Sequence, residues 1–269
     1  MSDPDFEAFR AYLARRTRLD LSRFKENYLR RRVESRRKAH GAESWAAYTA
    51  VLASDPDELE RLKERLTVHV TEFFRDSDLW QALEREVLPG LLEQAAARPS
   101  RVLRLWSAGC STGEEAYSLA LLALRGAARQ GKGVVVRVLA SDLDEGVLRT
   151  AEEGSFAEGA LASLPEAWRT AWFIRDGQRW NIGPALRRAV AFRRMDLFSE
   201  PPPPQVDVLL CRNVMIYFSR DTQQRLLESF HHALRGEGVF VTGKTETILG
   251  PARVRFHCIS AAARIFRRV

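Results

Sequence analysis

The hydrophobic positions near the start of the chain recur at helical spacing. Phe6, Phe9 and Leu13 lie three and four residues apart, which places them on one face of a helix. Further helical patterns follow up to about residue 97, separated by Gly, Asp and Pro residues that typically end or cap helices. The pattern predicts an N-terminal helical domain and linker over residues 1–97.

From residue 98 to residue 269, short apolar runs alternate with helical segments. The predicted strands are 102–106, 134–140, 189–194, 206–211, 238–242, 253–259 and 264–267, and helices are predicted at 145–152 and 222–234. Alternation of strands and helices is typical of a mostly parallel sheet that is covered on both faces. The second part of the chain is therefore predicted to be an α/β domain.

A small insert is predicted between the second and third of these strands. Residues 171–182 contain two strand-like runs on either side of Asp176-Gly177, a dipeptide typical of two-residue hairpin turns. We therefore expect an antiparallel β-hairpin that projects from the main sheet.

The second domain is organised around a glycine turn. A strand leads into small residues between Gly109 and Gly113, and Glu114 and Glu115 then open a helix. Open α/β sheets form nucleotide-like sites in this way, with backbone N–H groups facing the ligand. The glycine spacing is not the dinucleotide-binding G-x-G-x-x-G motif, so a nicotinamide enzyme is not indicated.

Three interpretations of this turn stay open at this point. Residues 109–113 match G-x-S-x-G, the nucleophile elbow of α/β hydrolases, but that elbow normally follows several strands and only helices precede it here. The second interpretation is the adenosylmethionine loop of a class I methyltransferase, in which the first strand leads directly to the site. The third is a purely structural glycine turn.

Composition narrows the class of protein. An apolar content of 45% in 269 residues is enough for a packed core, and the net charge of +7 favours an acidic partner. Cys110, Cys211 and Cys258 are far apart in sequence, and the histidines do not cluster at metal-ligand spacing. We therefore expect reduced thiols, no metal, no secretory leader, no membrane insertion and a cytoplasmic location.

Positive charge is concentrated near one predicted helix. Residues 10–38 hold twelve Lys and Arg residues against three acidic residues, a net charge of +9. Helical geometry turns Arg31 and Lys38 away from the apolar side, with Arg30 and Arg37 flanking them. A solvated helix face is one interpretation. The excess of arginine favours the other, a surface that binds carboxylates or phosphates of a partner.

Several ordered motifs carry a resemblance to a known family. They are Tyr28–Arg32, Thr71–Asp76, Trp106–Ser118, Cys211–Phe218 and the late segment Gly243–Glu246. On these segments the chain resembles the chemotaxis receptor glutamate methyltransferases of the CheR type over nearly its full length. Ordered motifs at consistent separations are far more specific than one glycine loop, so this resemblance outweighs the hydrolase interpretation.

The resemblance implies a class I methyltransferase, a Rossmann-like doubly wound α/β sheet preceded by an all-helical domain. It also implies that S-adenosylmethionine donates a methyl group to glutamate side chains on the cytoplasmic domain of a methyl-accepting chemoreceptor. The products would be glutamate methyl esters and S-adenosylhomocysteine. We expect a monomer. We also expect no binding of nucleic acid, because the residues after Asn213 lack the Asn-Pro-Pro-aromatic pattern of base-methylating enzymes.

One cofactor contact is predicted from the residues themselves. Asp142 ends the second strand beside the glycine turn, where its carboxylate can accept hydrogen bonds from both ribose hydroxyls. Asp144 is available to cap the following helix.

The resemblance adds the other cofactor contacts. It implies that Asp196 and Leu197 hold the adenine end, and that either Glu114 or Glu115 binds the methionine ammonium. His69 and Asp196 depart from the family, which more often has Asn at both positions. The full expected set is His69, Thr71, Arg75, Gly109, Glu114, Glu115, Asp142, Asp196, Leu197, Asn213 and Val214.

The expected chemistry requires little from the protein. A glutamate carboxylate is ionised at neutral pH, so no general base is needed, and alignment for in-line attack carries most of the acceleration. Arg75 and Tyr217 are the expected catalytic residues: Arg75 would fork the acceptor carboxylate, and Tyr217 would orient it or line the path of the methyl group. Two alternatives are a methyltransferase for another protein acceptor and a non-catalytic module that binds adenosylmethionine and a signalling partner. The presence of both catalytic residues disfavours the second.

The insert bears on how a receptor would be bound. Some members of the resembled family bind the receptor's C-terminal peptide through a glycine-rich loop on this insert. Here the predicted hairpin is closed by Asp176-Gly177 alone, and only Gly183 follows nearby. We therefore expect no such tether.

Overall fold

A computed structural model describes residues 3–17, 19–67 and 70–269. The chain forms two compact units. The smaller unit comprises Met1–Val68 and Tyr217–Gln223, and the larger unit comprises His69–Ile216 and Gln224–Val269. Within the described ranges, no helix combines the length and the apolar composition that a membrane crossing requires.

The smaller unit is helical, which confirms the prediction of an all-helical N-terminal domain. Its helices in the described ranges are α1 (Pro4–Thr17), α2 (Glu26–Ala39), α3 (Trp45–Ser54) and α4 (Pro56–Leu66). Phe6, Phe9 and Leu13 of α1 are buried in one core with apolar side chains of the other three helices. The carboxylate of Asp55 caps α4 by accepting a hydrogen bond from the Glu58 N–H at 3.0 Å.

A buried carboxylate joins three of these helices. Glu58 on α4 accepts hydrogen bonds from Arg36 on α2 and from the Tyr48 hydroxyl on α3, the latter at 2.7 Å. The ring of His40, directly after α2, lies 2.8 Å from the same carboxylate. Burial acts to raise the pKa of Glu58, but the hydrogen bonds outweigh it and hold that pKa below its usual value. The network fixes α2 against α3 and α4.

The part of the larger unit that the structure describes contains two β-sheets. The strands are β1 (Val102–Ala108), β2 (Val135–Asp142), β3 (Ser155–Ala157), β4 (Phe173–Asp176), β5 (Arg179–Ile182), β6 (Val190–Arg194), β7 (Val206–Cys211), β8 (Leu234–Thr242), β9 (Phe256–Ser260) and β10 (Ile265–Arg268). Across the described residues the main sheet has the order β6-β2-β1-β7-β8-β10-β9. The strands from β6 to β8 in this order are parallel to one another, and β10 pairs antiparallel with both β8 and β9.

This topology confirms the predicted class I methyltransferase fold. The chain crosses to one side of β1 to form β2 and β6, and then returns to form β7 on the other side. Open α/β sheets bind their ligands at the carboxyl ends of the strands where the order reverses in this way. The burial of every residue of β7 agrees with its central position in the sheet.

The helices of the larger unit pack against its two sheets. They are α5 (Ser77–Ala82), α6 (Leu88–Ala97), α7 (Glu114–Gln130), α8 (Glu145–Glu153), α9 (Glu166–Trp172), α10 (Pro184–Ala189) and α11 (Arg220–Ala233), whose first four residues belong to the smaller unit. A π-helical turn, Leu83–Val87, joins α5 to α6.

The boundary between the units differs from the one the sequence indicated. The helical residues before 97 were assigned to an N-terminal helical domain and linker, whereas α5 and α6 share the core of the larger unit. Leu91 and Leu92 of α6 pack with Leu103 of β1 and Leu119 of α7. Helical periodicity identifies the apolar face of α6, but it does not identify which core that face joins.

The insert is a small antiparallel sheet in the order β3-β5-β4. Its hairpin between β4 and β5 was predicted, but the turn is shifted by one residue. Asp176 pairs with Arg179, so the turn residues are Gly177 and Gln178 rather than Asp176-Gly177. Gly177 takes φ of +58°, and glycine at the first turn position is typical of a type II′ hairpin. The three-residue strand β3 is too short to leave a periodic signal in sequence.

Candidate cofactor site at the carboxyl edge of the sheet

The glycine turn lies between β1 and α7. Gly109 has φ of +81°, and a Cβ atom there would lie only 2.6 Å from Cγ2 of Val214. Any side chain at position 109 would therefore separate the turn from the loop that follows β7. This close contact brings together two of the segments that were predicted to bind the cofactor.

Asp142 ends β2 beside this turn. Its carboxylate accepts hydrogen bonds from the Ser111 N–H at 2.9 Å and the Asp144 N–H at 3.1 Å. Asp144 caps α8 by accepting from the N–H groups of Gly146 and Val147, so Asp142 is not needed as the cap. The half-buried carboxylate of Asp142 therefore lies against the glycine turn at the carboxyl edge of the sheet.

The segment after β6 reaches the same edge. The Met195 N–H donates to the Asp142 carbonyl at 2.9 Å, and the half-buried Asp196 and Leu197 follow directly. Oδ1 of Asp196 accepts from the Phe198 N–H at 3.0 Å. This local turn needs only an acceptor at position 196, which Asp and Asn both supply.

Glu246 holds the loop that follows β7, a role that the sequence did not reveal. Its buried carboxylate accepts backbone hydrogen bonds from Gly243 at 2.6 Å, from Asn213 at 2.9 Å and from Ile216 at 3.2 Å. Burial raises the pKa of Glu246, and these backbone donors act against that rise. Asn213 has φ of +60°, a left-handed conformation that asparagine adopts more readily than most residues other than glycine.

The two glutamates that open α7 have different surroundings. The Glu115 carboxylate accepts from the Ser107 hydroxyl at 2.8 Å and from an Arg212 N–H at 3.1 Å. Glu114 is buried, and its carboxylate accepts from the Thr112 hydroxyl at 2.7 Å. No cation of the described residues forms an ion pair with Glu114, and burial raises its pKa while Thr112 acts in the opposite direction. The charge of Glu115 is compensated by Arg212, whereas no cation of the described residues compensates the charge of Glu114.

Arg212 connects three of the recognised motifs. In the sequence, only its place beside Asn213 pointed to such a role. The side chain is buried and binds the Asp76 carboxylate at 2.6 Å and the Glu115 carboxylate at 3.1 Å. It also donates to the Arg75 carbonyl at 3.0 Å. The loop that carries Arg75 is thereby fixed beside the first turn of α7.

Arg75 itself is half-buried on that loop. Its Nη1 donates to the Val70 carbonyl at 2.9 Å, and its own carbonyl also accepts from the Trp80 indole at 2.9 Å. Thr71 lies on the same loop and is half-buried. His69 lies outside the described residues.

The other predicted site residues belong to the smaller unit. Tyr217 packs on Tyr28 of α2, with ring centroids 4.7 Å apart. On the same helix Arg31 and Lys38 are exposed, as helical geometry predicted. Lys38 lies 3.5 Å from Glu34 in an exposed pair, which contributes little.

Arg30 and Arg37, by contrast, serve the fold of the smaller unit. Arg30 pairs with Asp3 at 2.9 Å and lies over the Phe6 ring. Arg37 pairs with Glu34 at 2.9 Å and lies over the Trp45 ring. Both side chains are held against neighbouring helices, which the helical projection of α2 alone does not show.

The chemistry of the carboxyl edge fits adenosylmethionine and does not fit a hydrolase. Ser111 occupies the nucleophile position of G-x-S-x-G, but its buried Oγ has no hydrogen-bond partner among the described atoms, so no base activates it. The buried carboxylate of Glu114 suits an ammonium group, and Asp142 suits vicinal hydroxyls. An open α/β sheet with these groups at its switch point defines a class I methyltransferase that binds adenosylmethionine.

Comparison with known proteins identifies the family. Residues 4–67 match the family model for the CheR methyltransferase, all-alpha domain, and residues 69–265 match the model for the CheR methyltransferase, SAM binding domain. The chain belongs to the CheR methyltransferase family. The two matched ranges meet where the two compact units divide.

Curated relatives agree with this assignment. The chain is 33% identical to a chemotaxis protein methyltransferase of Listeria monocytogenes, over 93% of this chain and 92% of that protein. It is 35% identical to chemotaxis protein methyltransferase 2 of Pseudomonas aeruginosa, over 91% of this chain and 87% of that protein. An uncharacterized 104.1 kDa protein of Rhodobacter capsulatus is 34% identical over 91% of this chain, which spans 25% of that protein.

Replacing Arg212 tests its structural role. Arg212→Met should lower the free energy of unfolding of the larger unit by about 3 kcal/mol, because two carboxylates lose their buried cation. Urea denaturation measures the change. Arg175→Met is the control, since Arg175 is exposed in the same unit and should change stability by less than about 0.5 kcal/mol. Equal effects of the two substitutions would contradict the role assigned to Arg212.

Proposed function

We propose that this chain transfers a methyl group from S-adenosylmethionine to glutamate side chains of chemoreceptor cytoplasmic domains. The products are glutamate methyl esters and S-adenosylhomocysteine. The observation that carries the proposal is the buried Glu114 carboxylate, which forms no ion pair with a cation of the described residues. It directly follows the glycine turn that Asp142 lies against. A site of this composition is complementary to a ligand with an ammonium group and ribose hydroxyls.

In this proposal different segments at the carboxyl edge of the sheet hold different parts of the cofactor. Glu114 binds the ammonium group and Asp142 binds the ribose hydroxyls. Asp196 and Leu197 hold the adenine end, and Asn213 and Val214 bracket the cofactor. Adenosylmethionine supplies a methyl group activated on a sulfonium, which is an intrinsically good leaving group.

The acceptor is oriented rather than deprotonated. A glutamate carboxylate is ionised at neutral pH, so the protein must align it and exclude competing geometries. Nη1 of Arg75 donates to Val70, and the remaining N–H groups of the guanidinium can fork the acceptor carboxylate. Tyr217 is assigned to orient the same carboxylate through its hydroxyl.

The product tests this proposal directly. With methyl-labelled adenosylmethionine and a receptor cytoplasmic domain, we expect label that mild base releases as methanol, because carboxyl methyl esters hydrolyse and N-methyl groups do not. Asp142→Ala should lose roughly 1.5–3 kcal/mol of cofactor binding and label the receptor poorly. Label that survives base would indicate an N-methyltransferase, and ester label only on an unrelated protein would indicate another acceptor.

The choice between Glu114 and Glu115 can be tested by pH. Glu114→Gln should weaken adenosylmethionine binding roughly tenfold to a hundredfold, because an ammonium–carboxylate pair is lost. Since only the ionised carboxylate pairs with the ammonium, wild-type affinity should fall as pH decreases through the raised pKa of Glu114. Titration calorimetry measures both effects. Glu115→Gln, the control, should keep the pH dependence; if it abolishes that dependence instead, the assignment is reversed.

The exposed face of α2 is proposed to bind the acidic receptor. Reversing Arg31 and Lys38 to Glu should raise the apparent KM for receptor and flatten its salt dependence, since exposed charges act mainly on encounter and are screened by salt. Cofactor affinity should be unchanged. Arg15→Glu with Arg16→Glu is the matched control, with the same charge change on exposed α1 positions. If the α1 control raises the KM for receptor as much as the α2 reversal does, the effect comes from net charge and the α2 face does not bind the receptor specifically.

Independence from a receptor tail is also part of the proposal. The turn between β4 and β5 consists of Gly177 and Gln178, which leaves no glycine-rich loop to receive a peptide strand. A C-terminal receptor peptide should show no binding by calorimetry at micromolar concentrations. Deleting the tail from the receptor should leave the methylation rate within about twofold. Micromolar peptide binding would contradict this part of the proposal.

A further inference from the structure

The segment that carries Tyr217 is bound to α2 and the turn before it. The Lys25 N–H donates to the Tyr217 carbonyl at 2.9 Å, and the Ser219 N–H donates to the Arg23 carbonyl at 2.9 Å. Between these two bonds, Phe24 and Phe218 form an antiparallel β-bridge with ring centroids 5.4 Å apart. The backbone on both sides of Tyr217 is therefore fixed within the smaller unit.

Tyr28 fixes the side chain as these bonds fix the backbone. Its ring packs on the Tyr217 ring at 4.7 Å between centroids, with the ring planes inclined by 38°. We propose that Tyr28 is a positioning residue for Tyr217 in methyl transfer, a proposal that rests on the acceptor-orienting role of Tyr217 given above. Tyr28 acts through the Tyr217 ring and touches neither cofactor nor acceptor in this assignment.

Tyr28 is well suited to hold another ring because it is itself immobilised. It is 8% exposed, and its hydroxyl donates to the Leu66 carbonyl at the end of α4, at 2.8 Å. The Arg32 guanidinium lies 5.5 Å from its ring centroid. The ring is thus fixed by α4 at one end and by its own helix along one face. A ring packed against it has a restricted range of χ1 and χ2.

The proposal gives α2 two roles, one on each of its faces. The helix α2 carries Arg31 and Lys38 on its exposed face and Tyr28 on its buried face. A catalytic hydroxyl that drifts by about 1 Å can cost roughly a hundredfold in rate. Loss of Tyr28 should therefore lower kcat and leave the binding of cofactor and acceptor largely intact.

Three variants of the full chain test the proposal. Tyr28→Leu removes the supporting ring, and we expect kcat for receptor methylation to fall roughly tenfold or more, with the KM for adenosylmethionine within about twofold of wild type. Tyr28→Phe keeps the ring and should retain kcat within about threefold. Trp45→Leu is the matched control, because Trp45 is also 8% exposed in the same unit but packs on Phe6 and Phe9. It should leave kcat nearly unchanged.

A double-substitution cycle separates positioning from general destabilisation. In a Tyr217→Leu background, adding Tyr28→Leu should lower kcat by less than about twofold, because the residue it acts through is gone. Additive losses, or an equal loss in Trp45→Leu, would overturn the proposal. If Tyr28→Leu shows no cooperative thermal unfolding transition and is therefore not folded, Tyr28→Met replaces it. Methionine fills the volume of the ring without presenting a ring face.

Hydrogen exchange provides a readout that needs no acceptor. The Ser219 amide should exchange faster in Tyr28→Leu than in wild type, and at the wild-type rate in Trp45→Leu. If the Ser219 amide exchanges at the wild-type rate in Tyr28→Leu, the contact between Tyr28 and Tyr217 does not restrain the Tyr217 segment. If the wild type methylates no chemoreceptor, the proposed function fails, while the exchange result still decides whether Tyr28 holds the Tyr217 segment.

Discussion

The larger unit depends on pairing one buried cation with two carboxylates. Arg212 is placed directly after the central strand β7, where water does not reach it, and an unpaired guanidinium there would be very costly. It is satisfied by Asp76 and Glu115, which come from segments far apart in the sequence. Meeting that requirement places the Arg75 loop beside the first turn of α7. The electrostatics of one side chain thus fix the geometry around the candidate cofactor site.

The same requirement explains why two adjacent glutamates have different surroundings. Because Glu115 is neutralised by Arg212, Glu114 is left as the acidic group that a cationic ligand can pair with. A second buried carboxylate, Glu246, binds backbone donors and holds Asn213 in a left-handed conformation. Carboxylates with a cationic partner in the fold and a carboxylate without one among the described residues therefore lie next to each other in the sequence.

Much of the fold was predictable because it depends on local patterns. The spacing of Phe6, Phe9 and Leu13 gave α1, and the β-branched runs gave the strands of the main sheet. The glycine turn and Asp142 were recognisable because strand ends of a parallel sheet meet at one edge. The hairpin turn was misplaced by one residue, since the register of β4 and β5 is set by pairing and not by the Asp-Gly dipeptide alone.

The sequence by itself determined the fold class, the family and most of the residues around the glycine turn, since each follows from periodicity or from an ordered motif. The tertiary structure alone decided that α6 packs with the sheet, that Arg30 and Arg37 serve the helical core, and that Arg212 and Glu246 organise the site. These outcomes depend on which distant groups a side chain meets. Periodicity reports which face of an element is apolar, whereas the partner of a buried charge is settled only when the whole chain is packed.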